Sequence, residues 1–184
     1  MFLLILGLIL WIAAHLFKRL MPTQRAAMGD AGKGVVALVL VASLVLIIIG
    51  YRSAETIFVW APPPFFTHIN NLAMLLALWI FGSSAAKGAK AWPAYQIRHP
   101  QLVATAFWAV AHLMVNGDLA SVLLFGTMLV WAGGEIILIN KVDPNWTAPP
   151  HAGRATYIRL AVISAVLFVL IAAVHIWLGV SPFA

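Results

Sequence analysis

The chain has 184 residues, of which 64% are hydrophobic and only 9% charged, with a mean hydropathy of +1.01, and no water-soluble fold hides that much apolar surface. Its net charge of +6 comes from residues in short loops between apolar runs, which form no basic face that could track phosphates, so nucleic acid is excluded as a partner. Cysteine is absent, which excludes disulfides, thiolate metal sites and cysteine nucleophiles and leaves any electron chemistry to a cofactor.

Six windows reach the ~20 mostly apolar residues that a spanning helix needs, with centres near Leu8, Leu44, Leu76, Trp108, Leu129 and Leu167. They predict an all-α, polytopic six-helix transmembrane bundle forming one domain over residues 1–184. In the first window, Met1 to Phe17 carries no basic segment ahead of it, and Lys18 and Arg19 follow it. That order predicts a retained helix rather than a signal peptide. Met21-Pro22 and the stretch from Gly29 to Gly34 break the first connection, and Pro62-Pro63-Pro64 ends the second. Trp92-Pro93 and His99-Pro100 frame the third, with Pro100 suited to a first helical position. The fourth is only Asn116-Gly117-Asp118, where Gly117 suits a left-handed C-cap and Asp118 an N-cap, so a tight antiparallel hairpin is expected. Pro144 and Pro149-Pro150 fill the fifth.

Cytoplasmic loops carry the excess of lysine and arginine. Lys18, Arg19, Arg25 and Lys33 fall in the first loop, Lys87, Lys90 and Arg98 in the third, and Lys141, Arg154 and Arg159 in or beside the fifth; Arg52 alone falls on the other face. This asymmetry predicts that both termini lie on the non-cytoplasmic side. Trp60, Trp92, Trp146 and Trp177 lie near span ends, where indole rings settle at the membrane interface.

Ionisable groups inside a bilayer are costly and therefore mark candidate sites. At a helical rise of ~1.5 Å per residue, His112 lies roughly 20 Å beyond His99 and His175 roughly 24 Å beyond Arg159, both on outward-running spans. His68 opens the third span beside Asn70 and Asn71, so three histidines are expected at the outer half. His15, Arg98, His99 and Glu135 form a second polar layer toward the cytoplasmic side. Imidazoles without nearby carboxylates suit metal or haem ligation, whereas arginine, histidine and glutamate together suit an anionic ligand or plain ion pairing. The alternative for each histidine is a hydrogen-bonded packing role, and His151, in a Pro-rich loop, reads as a solvated side chain. P-loop spacing, a His-Glu-x-x-His zinc motif and a Gly-x-Ser-x-Gly elbow are all missing.

Arg98-His99-Pro100-Gln101-Leu102, Trp108, Ala111-His112-Leu113 and Asn116-Gly117-Asp118, leading into Leu123-Leu124-Phe125-Gly126, resemble the NnrU family. The likeness extends to His15-Leu16, the Tyr51 region and the stretch from Trp60 to Pro64. The resemblance implies a multi-pass protein of the bacterial inner (cytoplasmic) membrane, in contact with lipid and associated with denitrification. A plant relative of the family, 15-cis-zeta-carotene isomerase, uses haem b held by histidines. The resemblance thus implies haem b with His112 as the best-matched ligand and redox or isomerase-like chemistry. It also implies, as partners, a respiratory complex or a carotenoid-like hydrophobic substrate. His15 matches a family histidine as well, but helical rise puts it roughly 15 Å from the level of His112. His68 or His175 then becomes the second axial ligand, with His68 favoured because Asn70 and Asn71 can orient it. Two other readings stand beside this one. The chain is either a non-enzymatic accessory subunit of a respiratory or assembly complex, or, since Arg98-His99-Pro100 also resembles the isoprenylcysteine and phospholipid methyltransferases, an S-adenosylmethionine-dependent membrane methyltransferase.

Overall fold

The computed structural model describes residues 1–183. Among them the regular structure is helical: α1 (Phe2–Leu20), α2 (Pro22–Ala27), α3 (Ala31–Arg52), α4 (Phe66–Gly82), α5 (Pro100–Val115), α6 (Leu119–Val142) and α7 (Arg154–Trp177). Every predicted apolar window falls on one of these helices, and α1, α3, α6 and α7 are long and apolar enough to cross a membrane. With 17 and 16 residues, α4 and α5 are shorter than the windows that predicted them. The cause is local: prolines precede both helices, and the chain turns extended at Asn116 (φ −120, ψ 108).

Two connections differ from expectation. Met21-Pro22 separates α1 from α2 as expected, but of the glycine stretch only Gly29 (φ 53) lies in the break; Gly32, Lys33 and Gly34 belong to the opening turns of α3, where a salt bridge of 2.8 Å ties Lys33 to Asp30. At the Asn116-Gly117-Asp118 corner, Gly117 takes no positive φ, so the expected left-handed cap is absent. Backbone pairing supersedes it. Val59 and Trp60 donate their N–H groups to the Gly117 carbonyl at 2.8 and 3.1 Å, and Leu119 donates to Ile57 at 2.8 Å. An extended strand-like corner satisfies these groups as a left-handed turn would not.

The chain forms two compact units, one from Met1–Trp60 with Gly117–Thr127, the other from Ala61–Asn116 and from Met128 onward. In unit one, α1 packs on α3 through Leu4, Gly7, Leu8 and Ala14 on one side and Ser43, Ile47 and Gly50 on the other. The three- and four-residue spacing places each set on one helical face. Glycine lets the backbones approach: a Cβ at Gly7 would stand 2.8 Å from the Ile47 nitrogen and 2.9 Å from the Ser43 carbonyl oxygen, and one at Gly50 would strike the Leu4 backbone.

Asp118 caps α6 as expected, accepting the Ser121 N–H at 2.9 Å and the Ser121 hydroxyl at 2.6 Å. Because the serine proton is spent on the carboxylate, the Tyr51 hydroxyl donates to Ser121 Oγ at 2.8 Å. Ser121 is fully buried, so Asp118→Ala both uncaps the helix and strands a hydroxyl. Its expected cost is about 1–2 kcal/mol, read as a lower denaturation midpoint in detergent.

In unit two, α4 packs against α5 and α7. Small side chains make the close approach possible: Asn70, Ala73 and Ala77 are the buried residues of α4, and Ala104, Ala109 and Ala111 are buried on α5. The Lys90 backbone pairs with Pro150 and Ala152 at 2.8 Å each, and the Trp92 N–H donates to the Tyr157 hydroxyl at 3.0 Å. His151 is exposed, as expected of a solvated loop residue, and also hydrogen-bonds Tyr157 at 2.8 Å and meets the Tyr95 ring edge-on at 4.9 Å. The loop folds back onto α7, and that return gives the imidazole its partners.

Candidate cofactor site

His112 lies three residues before the end of α5. Its Nδ1 stands 3.0 Å from the Trp108 carbonyl oxygen one turn earlier. A carbonyl only accepts, so Nδ1 carries the proton and the lone pair lies on Nε2. That is the tautomer of a metal-ligating imidazole whose second nitrogen is anchored by the backbone. The Trp108 indole lies over the ring, with centroids 5.0 Å apart and planes at 49°, which limits its rotation.

His175, in the same unit, is held in the same way, its Nδ1 at 2.8 Å from the Ile171 carbonyl oxygen. Both residues lie within one turn of the end of their helices, α5 and α7. α4 packs on both of their helices. His15, in unit one, repeats the His112 arrangement: its Nδ1 is 2.9 Å from the Trp11 carbonyl oxygen, and the Trp11 ring lies 4.4 Å away at 38°. The signal for this repetition stands in the sequence. Trp11-Ile12-Ala13-Ala14-His15-Leu16 and Trp108-Ala109-Val110-Ala111-His112-Leu113 share the pattern Trp-x-x-Ala-His-Leu. Tryptophan and histidine four apart fall on one helical face, which is the spacing that both contacts require.

The structure does not bring His68 to this level of the interior. His68 is exposed, because at 100° per residue it points away from the face of α4 that carries Asn70, Ala73 and Ala77. The asparagines expected to orient it are engaged otherwise. Asn71 donates its amide to the Pro182 carbonyl at 2.9 Å, while Asn70 is 7% exposed, and its Oδ1 is buried with no hydrogen-bond partner among the described residues. His68 is thus turned outward on α4, while His175 is half-buried in the same unit as His112.

Of the expected cytoplasmic layer, Arg98 and His99 bond to residues at the end of α6. Arg98 Nη2 pairs with Asp143 Oδ2 at 2.7 Å, and the His99 Nε2–H donates to Asn140 Oδ1 at 2.9 Å. Both partners lie at the end of α6, so the polar side chains beside Pro100 tie the start of α5 to that end. Glu135 lies seven residues inside the end of α6 and is only 3% exposed, well short of the helix end where it was expected. Among the described residues no group of three or more histidine, cysteine, aspartate or glutamate side chains is placed to hold a bare metal ion. A porphyrin supplies four of its iron's ligands itself, so one or two imidazoles suffice for haem, and the neutral-imidazole donor set fits that group.

Neither the curated proteins nor the solved structures yield a match to this chain. The family model described as NnrU protein matches residues 3–182, and the chain belongs to the NnrU family.

Proposed function

We propose that the protein is a haem b-binding inner-membrane protein in which His112 Nε2 would hold the iron, with His175 of the same unit as a second imidazole for it. The observation that carries this reading is the anchored His112 tautomer, with Nδ1–H on the Trp108 carbonyl and the indole against the ring. The family relationship suggests a membrane protein associated with nitrite and nitric oxide reduction. When bound, haem would supply a one-electron centre or a Lewis-acidic iron for redox or isomerisation chemistry linked to nitrogen-oxide respiration. The protein's own contribution is narrower. The Trp108 and Ile171 carbonyls hold the protons on Nδ1, the Trp108 ring fixes the His112 plane, and the apolar helices keep bulk water from the ligands.

An absorption spectrum of the detergent-purified protein tests this. A Soret band that shifts on dithionite reduction is the expected result, and a colourless, fully folded preparation would favour the accessory-subunit reading. For the methyltransferase reading, titration calorimetry with S-adenosylmethionine is expected to show no binding heat, since the Arg98 and His99 side chains are committed to Asp143 and Asn140.

The proposed topology has six spans, α1 and α3 to α7, with both termini in the periplasm and the basic loops in the cytoplasm. The absence of native cysteine makes the check direct. A single cysteine placed at Ser181 is expected to react with an impermeant maleimide in intact spheroplasts, and one placed at Ser84 only after lysis.

A further inference from the structure

Unit two is electrically lopsided. Its lysines and arginines, Lys87, Lys90, Arg98, Lys141, Arg154 and Arg159, all lie where α4 and α6 finish and where α5 and α7 begin. At the opposite end, where α4 begins and α5 and α7 finish, there is no lysine or arginine among the described residues, and the amides and imidazoles are those of His68, Asn70, Asn71, His112, Asn116 and His175, with the hydroxyls of Thr67 and Ser181 beside them. Asn70 is the one of these that is fully buried. It lies four residues inside α4 and His112 three residues inside α5, so the two are roughly 6 and 4.5 Å from the same end and share a level. The two helices pack directly.

A buried carbonyl oxygen without a donor is an unmet demand for an N–H or O–H group. The side chains at this level do not meet it, since His112 and His175 each commit their imidazole proton to a backbone carbonyl. An amide and a carboxylic acid are complementary: the acid O–H donates to Oδ1, and its carbonyl accepts from the adjacent Nδ2. An ionised carboxylate would leave Oδ1 unsatisfied and would find no cation at this end of the unit. We propose that Asn70 recognises a protonated carboxyl group on the ligand held at His112, a propionic acid side chain of the haem. This assignment rests on the haem reading above.

The test is reconstitution of the full-length protein, stripped of pigment in detergent, with haem b and with its dimethyl ester, followed by Soret titration. The ester keeps the ring and the iron but has no acidic proton to donate. Wild-type protein is expected to bind the free acid about ten-fold more tightly than the ester, the contribution of a hydrogen bond or two in an apolar setting. Asn70→Leu keeps the branched shape of the side chain and removes the stranded acceptor. It is expected to bind acid and ester equally, at the affinity of the wild type for the ester. Equal binding of both porphyrins by the wild type overturns the proposal, and so does an acid preference that survives in Asn70→Leu. Failure of both porphyrins to bind removes the haem reading and this inference with it, whereas haem binding without discrimination removes only the role of Asn70. The wild-type comparison decides the matter by itself should the leucine variant fail to fold.

Discussion

His112→Ala is expected to abolish the reducible Soret band, with haem affinity falling more than about 100-fold, because loss of a ligand exceeds the 10- to 100-fold penalty typical of losing a supporting hydrogen bond. Circular dichroism of the same preparation is expected to match the wild type, since α5 is braced through Ala104, Ala109 and Ala111 rather than through the imidazole. His175→Ala should convert a low-spin, six-coordinate spectrum to a high-spin one by vacating the second axial position. His68→Ala should change neither, because that side chain is exposed on α4. Retention of full haem content in His112→Ala would sink the assignment. His15→Ala is the natural companion, for the same cassette presents the same nitrogen there; an unchanged spectrum in that variant leaves the iron with the imidazoles of unit two.

Gly50→Ala should do the most damage to the scaffold. The added methyl meets the Leu4 backbone, which cannot rotate aside as a side chain can, so relief requires α1 to move away from α3. The expected cost lies at the upper end of the ~1–3 kcal/mol usual for overpacking, or beyond it. Gly34→Ala is the control. No atom lies within 4 Å of its would-be Cβ, and alanine favours the helix by about 1 kcal/mol. Thermal denaturation in detergent, followed by circular dichroism, separates the two: the Gly50 variant should melt well below the wild type and the Gly34 variant at or above it. Equal midpoints would mean that α1 and α3 do not approach through this notch.

Asn70→Leu is instructive for the opposite reason. In protein without ligand it removes a polar atom that has no partner, so it should raise stability by about 1–3 kcal/mol while weakening haem binding. A residue that costs stability in the empty protein and restores it on binding belongs to a ligand site rather than to the scaffold.

The particular residues show what could be read from the chain alone and what could not. Apolar length is a local property, so each of the predicted windows found its helix. Asp118 was legible as a cap because its partner is three residues away. Pro100 was legible as a first helical residue because its missing N–H is harmless only there. Gly117 misled because its backbone is claimed by Val59, Trp60 and the neighbouring strand-like pairing, a contact between segments nearly sixty residues apart that no local rule contains. Arg98 was read with Glu135 because both are charged and seemed level, yet its carboxylate is Asp143.

The site divides in the same way. Helical spacing by itself determined that Trp108 and His112 would share a face and that the Nδ1 proton could reach a carbonyl one turn back, since both depend only on a period of 3.6 residues. The same holds for Trp11 and His15. Whether His68 or Asn70 faces the interior was decided only by tertiary structure, because the choice depends on how α4 is rotated against α5 and α7. That rotation is set by the small buried residues Ala73 and Ala77, and it turns His68 outward and Asn70 inward. Sequence carries the period of a helix, but the azimuth at which one helix meets its neighbours is a property of their packing.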